Sequence, residues 1–462
     1  MNRYHNLAVF MMSALLIAAC VKQEEAEPPQ SRPVTAAPAP AGTAHASNTP
    51  RSTPDPDIQA AAEESFEPAP EADPDRSAAI IRGGHAFAFD LFNRLAAEQE
   101  GNLFVSPSSI RTALAMTWAG ARGDTEKQMA EALRFEQAPA HIHAHLAKLV
   151  ADLNDPGTDQ DGNPYYELAV ANALWGQADY PFRANFINLL NDRYAAGLNE
   201  VDFLDAPEQA RQTINAWVED RTRERIRDLI PEGIIDDETR LVLTNAIYFL
   251  GDWKHPFNEN ATRPASFHLS DEDTTEVPMM HQTERLRYME DEHVQMLELP
   301  YRGEALSMLV MLPTRQNDGP AEANAALQDR LNPEALAAWT DALRRQRVDV
   351  KLPRFSFTSD LRLDDALQAM GMEDAFVFRR ADFTGIASVE ELFIEAVLHK
   401  AFVKVDEEGT EAAAATAVVI AERVAAADPI AFHADRPFMF LIQHNDTGEI
   451  LFMGGVNEPV DE

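Results

Sequence analysis

Hydrophobic positions recur with regular periods from Ala78 onward. Phe87, Leu91 and Leu95 return at helical spacing with Phe92 beside them, which predicts an amphipathic first helix. In the segment Asn102 to Ile110, Ser106 is placed to cap a second helix and Pro107 to open it. Ile214, Trp217, Val218, Ile226 and Ile230 predict a further helix with a charged outer face. Leu241 to Leu250 is a nearly continuous apolar run stopped by Gly251, the signature of a central strand buried on both faces. Asn245 inside that run needs a buried partner. Leu306 to Leu312 and the alternation Val348, Val350, Leu352 predict strands, and Leu361 to Met370 predicts a helix closed by Gly371. Phe438 to Gln443 and Glu449 to Gly454 predict a hairpin across Asn445 to Gly448. There is no internal repeat and no second composition break, which predicts one large domain.

The stretch Asp406 to Val424, DEEGTEAAAATAVVIAERV, has conflicting local preferences. Ala412, Ala413, Ala414 and Ala415 favour helix, whereas Val418, Val419 and Ile420 favour strand, and Gly409 supplies a hinge in front of both. Read with a period of two, it separates into two faces. Thr410, Ala412, Ala414, Thr416, Val418 and Ile420 share one. Glu411, Ala413, Ala415, Ala417, Val419 and Ala421 share the other. A carboxylate is not buried unpartnered, so the Glu411 face looks to solvent and the Thr410 face inward. The inward face starts small and uncharged, which suits a strand that slides into an existing sheet. It ends just before Glu422 and Arg423.

This pattern resembles the hinge and reactive-centre loop of inhibitory serpins, the match running from Glu407 to Thr416. The stretch Glu411 to Ile420 is similar to the loop of antithrombin, as is the spacing from Arg423 to Asp435-Arg436-Pro437-Phe438. Around it, Ser106 to Ile110 resembles the family's shutter segment, and Ala119 to Glu126 its turn into the next helix. Asn172 to Trp175 and Val201 to Phe203 resemble its strand segments, and Trp253 with Pro256-Phe257 its breach. The resemblance covers roughly Ala78 to Pro459. It implies an α+β fold of about nine helices packed around three β-sheets, with an exposed reactive-centre loop. It further implies a shutter network of Ser106, Ser109, Asn245 and His399, entry of the loop at Trp253, and a scissile bond between Arg423 and Val424. The implied partner is a target protease, held covalently by a protein that acts as a monomer and not as an enzyme. Cleavage would free Thr410 to Ala421 to enter the main sheet. An Arg423 bait matches the acidic primary pocket of trypsin-like enzymes. Val419, Ile420 or Val424 would instead suit elastase-like ones. A non-inhibitory binding protein of the same fold is the alternative class, and it would place a charged or bulky residue at the Thr410 position.

The N-terminal segments change the picture of location. Arg3 precedes an apolar run from Leu7 to Ala19, too short to span a bilayer, which reads as an export signal. It ends Leu16-Ile17-Ala18-Ala19-Cys20, which resembles a bacterial lipobox. That implies a signal peptide over residues 1–19, cleavage before Cys20 and lipid anchoring through its thiol and amino group. Val21 after Cys20, in place of an aspartate, favours the outer membrane. Residues 20–77 then form a lipidated, Pro/Ala/Glu-rich tether without apolar periodicity, expected to be disordered, and residues 78–462 the folded domain. Cys20 is the only cysteine, so no intrachain disulfide can form.

Charge and missing motifs narrow the rest. With 76 acidic against 39 basic residues the net charge is −37, which argues against nucleic acid and heparin-like polyanions as partners. His141, His143 and His145 lack acidic or cysteine neighbours, so they read as an exposed helix face and not as a metal site. There is no G-x-S-x-G, H-E-x-x-H, C-x-x-C, phosphate loop or dinucleotide fingerprint, so neither catalytic residues nor a cofactor or metal is assigned.

Overall fold

A computed structural model describes residues 73–99, 101–194, 197–314, 319–389, 392–410 and 428–461. Helix α1 (Pro74–Glu98) is followed by strand β1 (Leu103–Val105) and helices α2 (Pro107–Trp118), α3 (Gly123–Ala132) and α4 (Pro139–Leu153). Then come β2 (Tyr166–Gln177), α5 (Ala184–Tyr194), β3 (Leu198–Val201), α6 (Pro207–Arg221) and β4 (Leu241–Asp252). A run of strands follows: β5 (Arg263–His268), β6 (Thr274–Glu290), β7 (Val294–Pro300) and β8 (Leu306–Pro313). Helices α7 (Pro320–Arg330) and α8 (Pro333–Ala342) lead to β9 (Arg344–Pro353), β10 (Phe355–Arg362), α9 (Asp364–Ala369) and β11 (Val397–Val405). The chain closes with β12 (Gly409–Thr410), β13 (Ile430–His433), β14 (Phe438–His444) and β15 (Ile450–Val456).

The main sheet has the order β10-β11-β4-β2-β3, with β12 added on β4. The other strands form one nine-stranded sheet, β1-β15-β14-β8-β7-β6-β9-β13, with β5 on β6. The long strand β6 joins two of the three expected layers. Its first residues pair with β5 and its last with β7, and β9 accompanies it between Met279 and Tyr288. Period-two alternation explains the layering. On β14, Phe438, Phe440 and Ile442 face the interior between the two sheets, while Met439 and Leu441 face the helices. On β4, Ile247 and Phe249 face the same inter-sheet core, whereas Val242 and Ala246 pack against Ile214 and Val218 of α6.

Several boundaries differ from the sequence pattern. Helix α1 begins at Pro74, ahead of the composition break at Ala78, because Asp73 caps it through the N–H groups of Asp75 and Arg76. Helix α6 stops at Arg221. The chain then turns through Arg223, Glu224 and Asp228 at positive φ, so Ile226 and Ile230 reach the core from a loop. Leu361 belongs to strand β10, and only Asp364–Ala369 is helical before Gly371 at φ +104°. The histidines of α4 are not an exposed face. His143 is buried against Trp118, its Nδ1 2.5 Å from Tyr194 Oη, and burial lowers its pKa to about 4. His145 is largely buried and lies 3.7 Å from Glu449. Among the described residues no group of His, Cys, Asp and Glu could hold a metal ion.

Candidate functional site

In the centre of the main sheet β4 and β11 run parallel, paired from Leu243 with Val397 to Tyr248 with Phe402. Past Phe402 they no longer pair, and β12 takes the place beside β4, antiparallel to it. Thr410 lies opposite Gly251 and Gly409 opposite Asp252. A turn at Asp406 brings the chain there. Its Oδ1 accepts from the N–H groups of Glu408 and Gly409 at 3.0 and 3.2 Å, and its own N–H donates to Gly409 O at 2.9 Å. Only glycine fits at 409, since a Cβ would collide with Gly251 O and lie 2.7 Å from Asp252 Cα.

The rest of this end of the sheet grips the turn. Trp253 donates from its backbone to Glu408 O at 2.7 Å and from its indole to Asp406 O at 3.0 Å, while Phe257 N–H reaches Glu407 O at 2.7 Å. The Trp253 ring stacks on Tyr301 at 4.7 Å, and Phe249 meets the Tyr301 edge at 4.9 Å. Tyr301 is wholly buried, and its hydroxyl lies 2.9 Å from Thr410 Oγ1. Burial pushes the phenol pKa far up, so it remains a neutral hydrogen-bonding partner. Glu407, 3% exposed, takes 2.7 Å bonds to both oxygens from Arg354 Nη2 and one of 2.5 Å from Thr262. Burial alone would raise the Glu407 carboxyl, but these bonds hold it below its usual value. The sequence pattern turned Thr410 inward, and the family resemblance implied that it enters the sheet only after cleavage. It is 1% exposed and already paired here, because a small residue with one hydroxyl finds a partner inside the sheet.

Further along β4 from the wedge that Glu407 to Thr410 form beside it, a row of polar side chains crosses three strands, with His399 opposite Asn245 and Asn245 opposite Asn172. Ser106 N–H donates to His399 Nε2 at 3.2 Å, so the ring proton sits on Nδ1 and is donated to Asn245 Oδ1. Asn245 Nδ2 donates to Ser109 Oγ at 2.8 Å and to Asn172 Oδ1 at 2.5 Å. Ser106 Oγ donates to Leu451 O at 2.7 Å and caps α2 through Ser109 N–H. Burial lowers the His399 pKa to about 3, so the imidazole is neutral.

The structure therefore brings Ser106, Ser109, Asn245 and His399 together, and sets Glu407, Gly409 and Thr410 against Trp253. Glu411, Ala412, Ala413, Ala414, Ala415, Thr416, Arg423, Val424 and Cys20 lie outside the described residues. Sequence reasoning missed Asn172, Tyr301 and Arg354 as parts of these clusters. The signal for Asn172 was available, as a second polar residue in an apolar strand facing the first. Tyr301 and Arg354 carried none, being far from the hinge in sequence.

The fold and the wedge define a class: an α+β protein whose main sheet is parted at one end by the start of its own loop. The family profile described as serpin (serine protease inhibitor) matches residues 82–459, and the chain belongs to the serpin family. Over 378 residues it is 41% identical to a leukocyte elastase inhibitor of Equus caballus, covering 81% of this chain and 97% of the relative. An uncharacterized serpin-like protein of Thermococcus kodakarensis is 39% identical over 384 residues, covering 83% and 86%. Among solved structures, uncleaved ovalbumin superimposes with TM-score 0.72 at 29% identity, covering 82% of this chain and 100% of its own. Human thyroxine-binding globulin gives 0.74 at 29% identity, covering 83% and 100%.

The neutral His399 sets a pH dependence. Its folded pKa of about 3 lies below the unfolded 6.5, so below pH 6.5 the unfolded state binds a proton that the folded state refuses. Its contribution is complete above that pH and falls as pH drops toward 3. In urea titrations His399→Gln should lower overall stability, yet flatten the decline between pH 6 and 4 by about 1.4 kcal/mol per pH unit. An unchanged slope would mean that His399 is already charged in the fold.

Proposed function

We propose that the protein is a lipid-anchored, suicide-substrate inhibitor of Arg-specific serine proteases. The carrying observation is the pairing of Thr410 with Gly251 in a sheet whose flanking strands are parallel. A strand continuing from β12 would be antiparallel to β4 and β11 at once. Continuing the register, in which paired numbers sum to 661, sets Ile420 opposite Leu241, the first residue of β4 and so the limit of an antiparallel partner. The same count sets Thr416, the other hydroxyl of the inward face, opposite Asn245 in the polar row. The inward face of the loop thus matches the core-facing residues of β4, and the apolar part ends where the strand does.

The chemistry follows. The target's serine attacks the Arg423 carbonyl, forms an acyl-enzyme and releases the new N-terminus at Val424. The freed loop extends β12 down the sheet and draws the acylated protease with it. Entry must break the six β4–β11 pairs and the His399–Asn245 bond. It then forms two ladders in their place, for a net drive on the order of 10 kcal/mol at roughly 1 kcal/mol per hydrogen bond. Displacing the acylated active site by even about 1 Å slows hydrolysis strongly. With Arg423 as the attached residue, Ala421 and Glu422 form a short tether beyond the last pair. A bond after Val419 would leave the acylated residue opposite Val242, still inside the strand.

A second reading has its own support. Several relatives are named leukocyte elastase inhibitors, and Glu422 beside the bait is unusual for Arg-specific enzymes, so an elastase-like target cutting near Val419 or Ile420 is the competitor. Mixing the protein with trypsin-like and elastase-like proteases, followed by denaturing gels and sequencing of the released peptide, separates the two. A denaturant-resistant complex with trypsin and a peptide beginning at Val424 is expected. Arg423→Ala should abolish that complex with little change in thermal stability. Persistent trypsin inhibition by that variant would place the bond elsewhere.

Thr410→Arg should convert the inhibitor into a substrate. The guanidinium cannot occupy the site beside Tyr301 without burying an unpaired charge, at a cost of several kcal/mol. The loop would be cut at the same bond, with no stable complex and active protease returned. Glu411→Arg, on the solvent-facing side, should be far milder, and equal damage from both would refute the assignment of faces. For the anchor, the lipobox-like Leu16 to Cys20 and the lone cysteine support lipidation. Cys20→Ala should move the protein from the membrane to the soluble fraction with inhibition intact, whereas a mature N-terminus without lipid ends the anchoring proposal.

A further inference from the structure

Against the net charge of −37, one cavity is locally basic. Its volume is about 370 Å³, and Lys254, His255, Arg285, Arg287 and Arg345 line it together with Glu298 and Glu304. The β6–β9 register sets Arg287 directly opposite Arg345 and Arg285 directly opposite Arg347. Cross-strand partners share a face, so four guanidinium groups stand as two like-charged pairs, an arrangement that opposes pairing. Two of the lining cations are neutralised: Glu298 takes Arg287 at 2.6 Å and Glu304 takes Lys254 at 2.6 Å. Arg285 and Arg345 have no carboxylate within 4.0 Å among the described residues, and both are exposed at the cavity rim.

We infer that this cavity binds a compact polyanion carrying two or more phosphate or sulfate groups. Guanidinium forks bind such groups in bidentate fashion, and a ligand bridging Arg285 and Arg345 would relieve the repulsion between the like-charged pairs. Compactness follows from charge. A long polyanion would extend from the cavity into the field of an acidic surface, whereas one held within it meets cations on several sides. Two of the lining residues, Lys254 and Pro300, are chain neighbours of Trp253 and Tyr301. Lys254 follows Trp253, and its N–H donates to Pro300 O at 2.9 Å, one residue before Tyr301. The ligand would thus sit behind the aromatic pair that holds Thr410.

Calorimetric titration of the full-length chain at low ionic strength tests the site without reference to protease inhibition. Sodium tripolyphosphate and sucrose octasulfate serve as the phosphate and sulfate probes. At least one is expected to bind with one-to-one stoichiometry, and which of them binds identifies the preferred group. Arg285→Ser with Arg345→Ser should weaken binding at least tenfold, while Arg330→Ser, on the exposed end of α7, should leave it unchanged. The single exposed-position variant Arg345→Gln gives the same reading should the double variant fail to fold. Absence of binding of both probes at 1 mM, or equal affinity in wild type and the Arg345 variants, overturns the proposal.

Discussion

The parallel pairing of β4 with β11 is the constraint on which the rest of this structure depends. Two parallel neighbours flanked by the antiparallel strands β10 and β2 leave room between them for one strand that would be antiparallel to both. The connection from β11 through the Asp406 turn delivers such a strand at the one end where the neighbours have already separated. In the proposed mechanism the cleaved loop supplies that strand.

Two clusters hold that state, and they differ in chemistry. At the open end, aromatic stacking and a network around Glu407 fix the turn. Trp253, Tyr301 and Phe249 give it a rigid apolar wall, and the Arg354–Glu407 pair ties its other side to the residue that joins β9 to β10. Lower down, the neutral His399 bridges the two strands through Asn245 and is fastened to α2 through Ser106. A buried polar row with its partners satisfied resists rearrangement until new partners arrive together, since leaving any member unpaired is costly. The hydroxyl of Thr416, in the proposed register, is a replacement that the loop itself carries.

Much of this was legible in sequence because it is local. Periodicity marked β4, β8, β9 and the β14–β15 hairpin. Asn245 in an apolar run announced a buried network. The errors came where the tertiary environment overrode the period. The helix read from Ile214 to Ile230 breaks at Arg221 because three left-handed residues turn the chain while apolar side chains still reach the core. His143 is buried because the helix face it occupies meets Tyr194 of α5 and Trp118 at the end of α2.

The sequence by itself determined the strand preferences, the acidic balance and the family, since each depends on residue type and spacing. Only the tertiary structure decided that Thr410 is already inside the sheet, that its partner is Tyr301, and that Arg354 anchors Glu407. It also decided that Arg285 and Arg345, separated by more than fifty residues, meet at one cavity. These are contacts between distant segments brought together by sheet register. A register is a property of two strands at once, and neither strand's own sequence contains it.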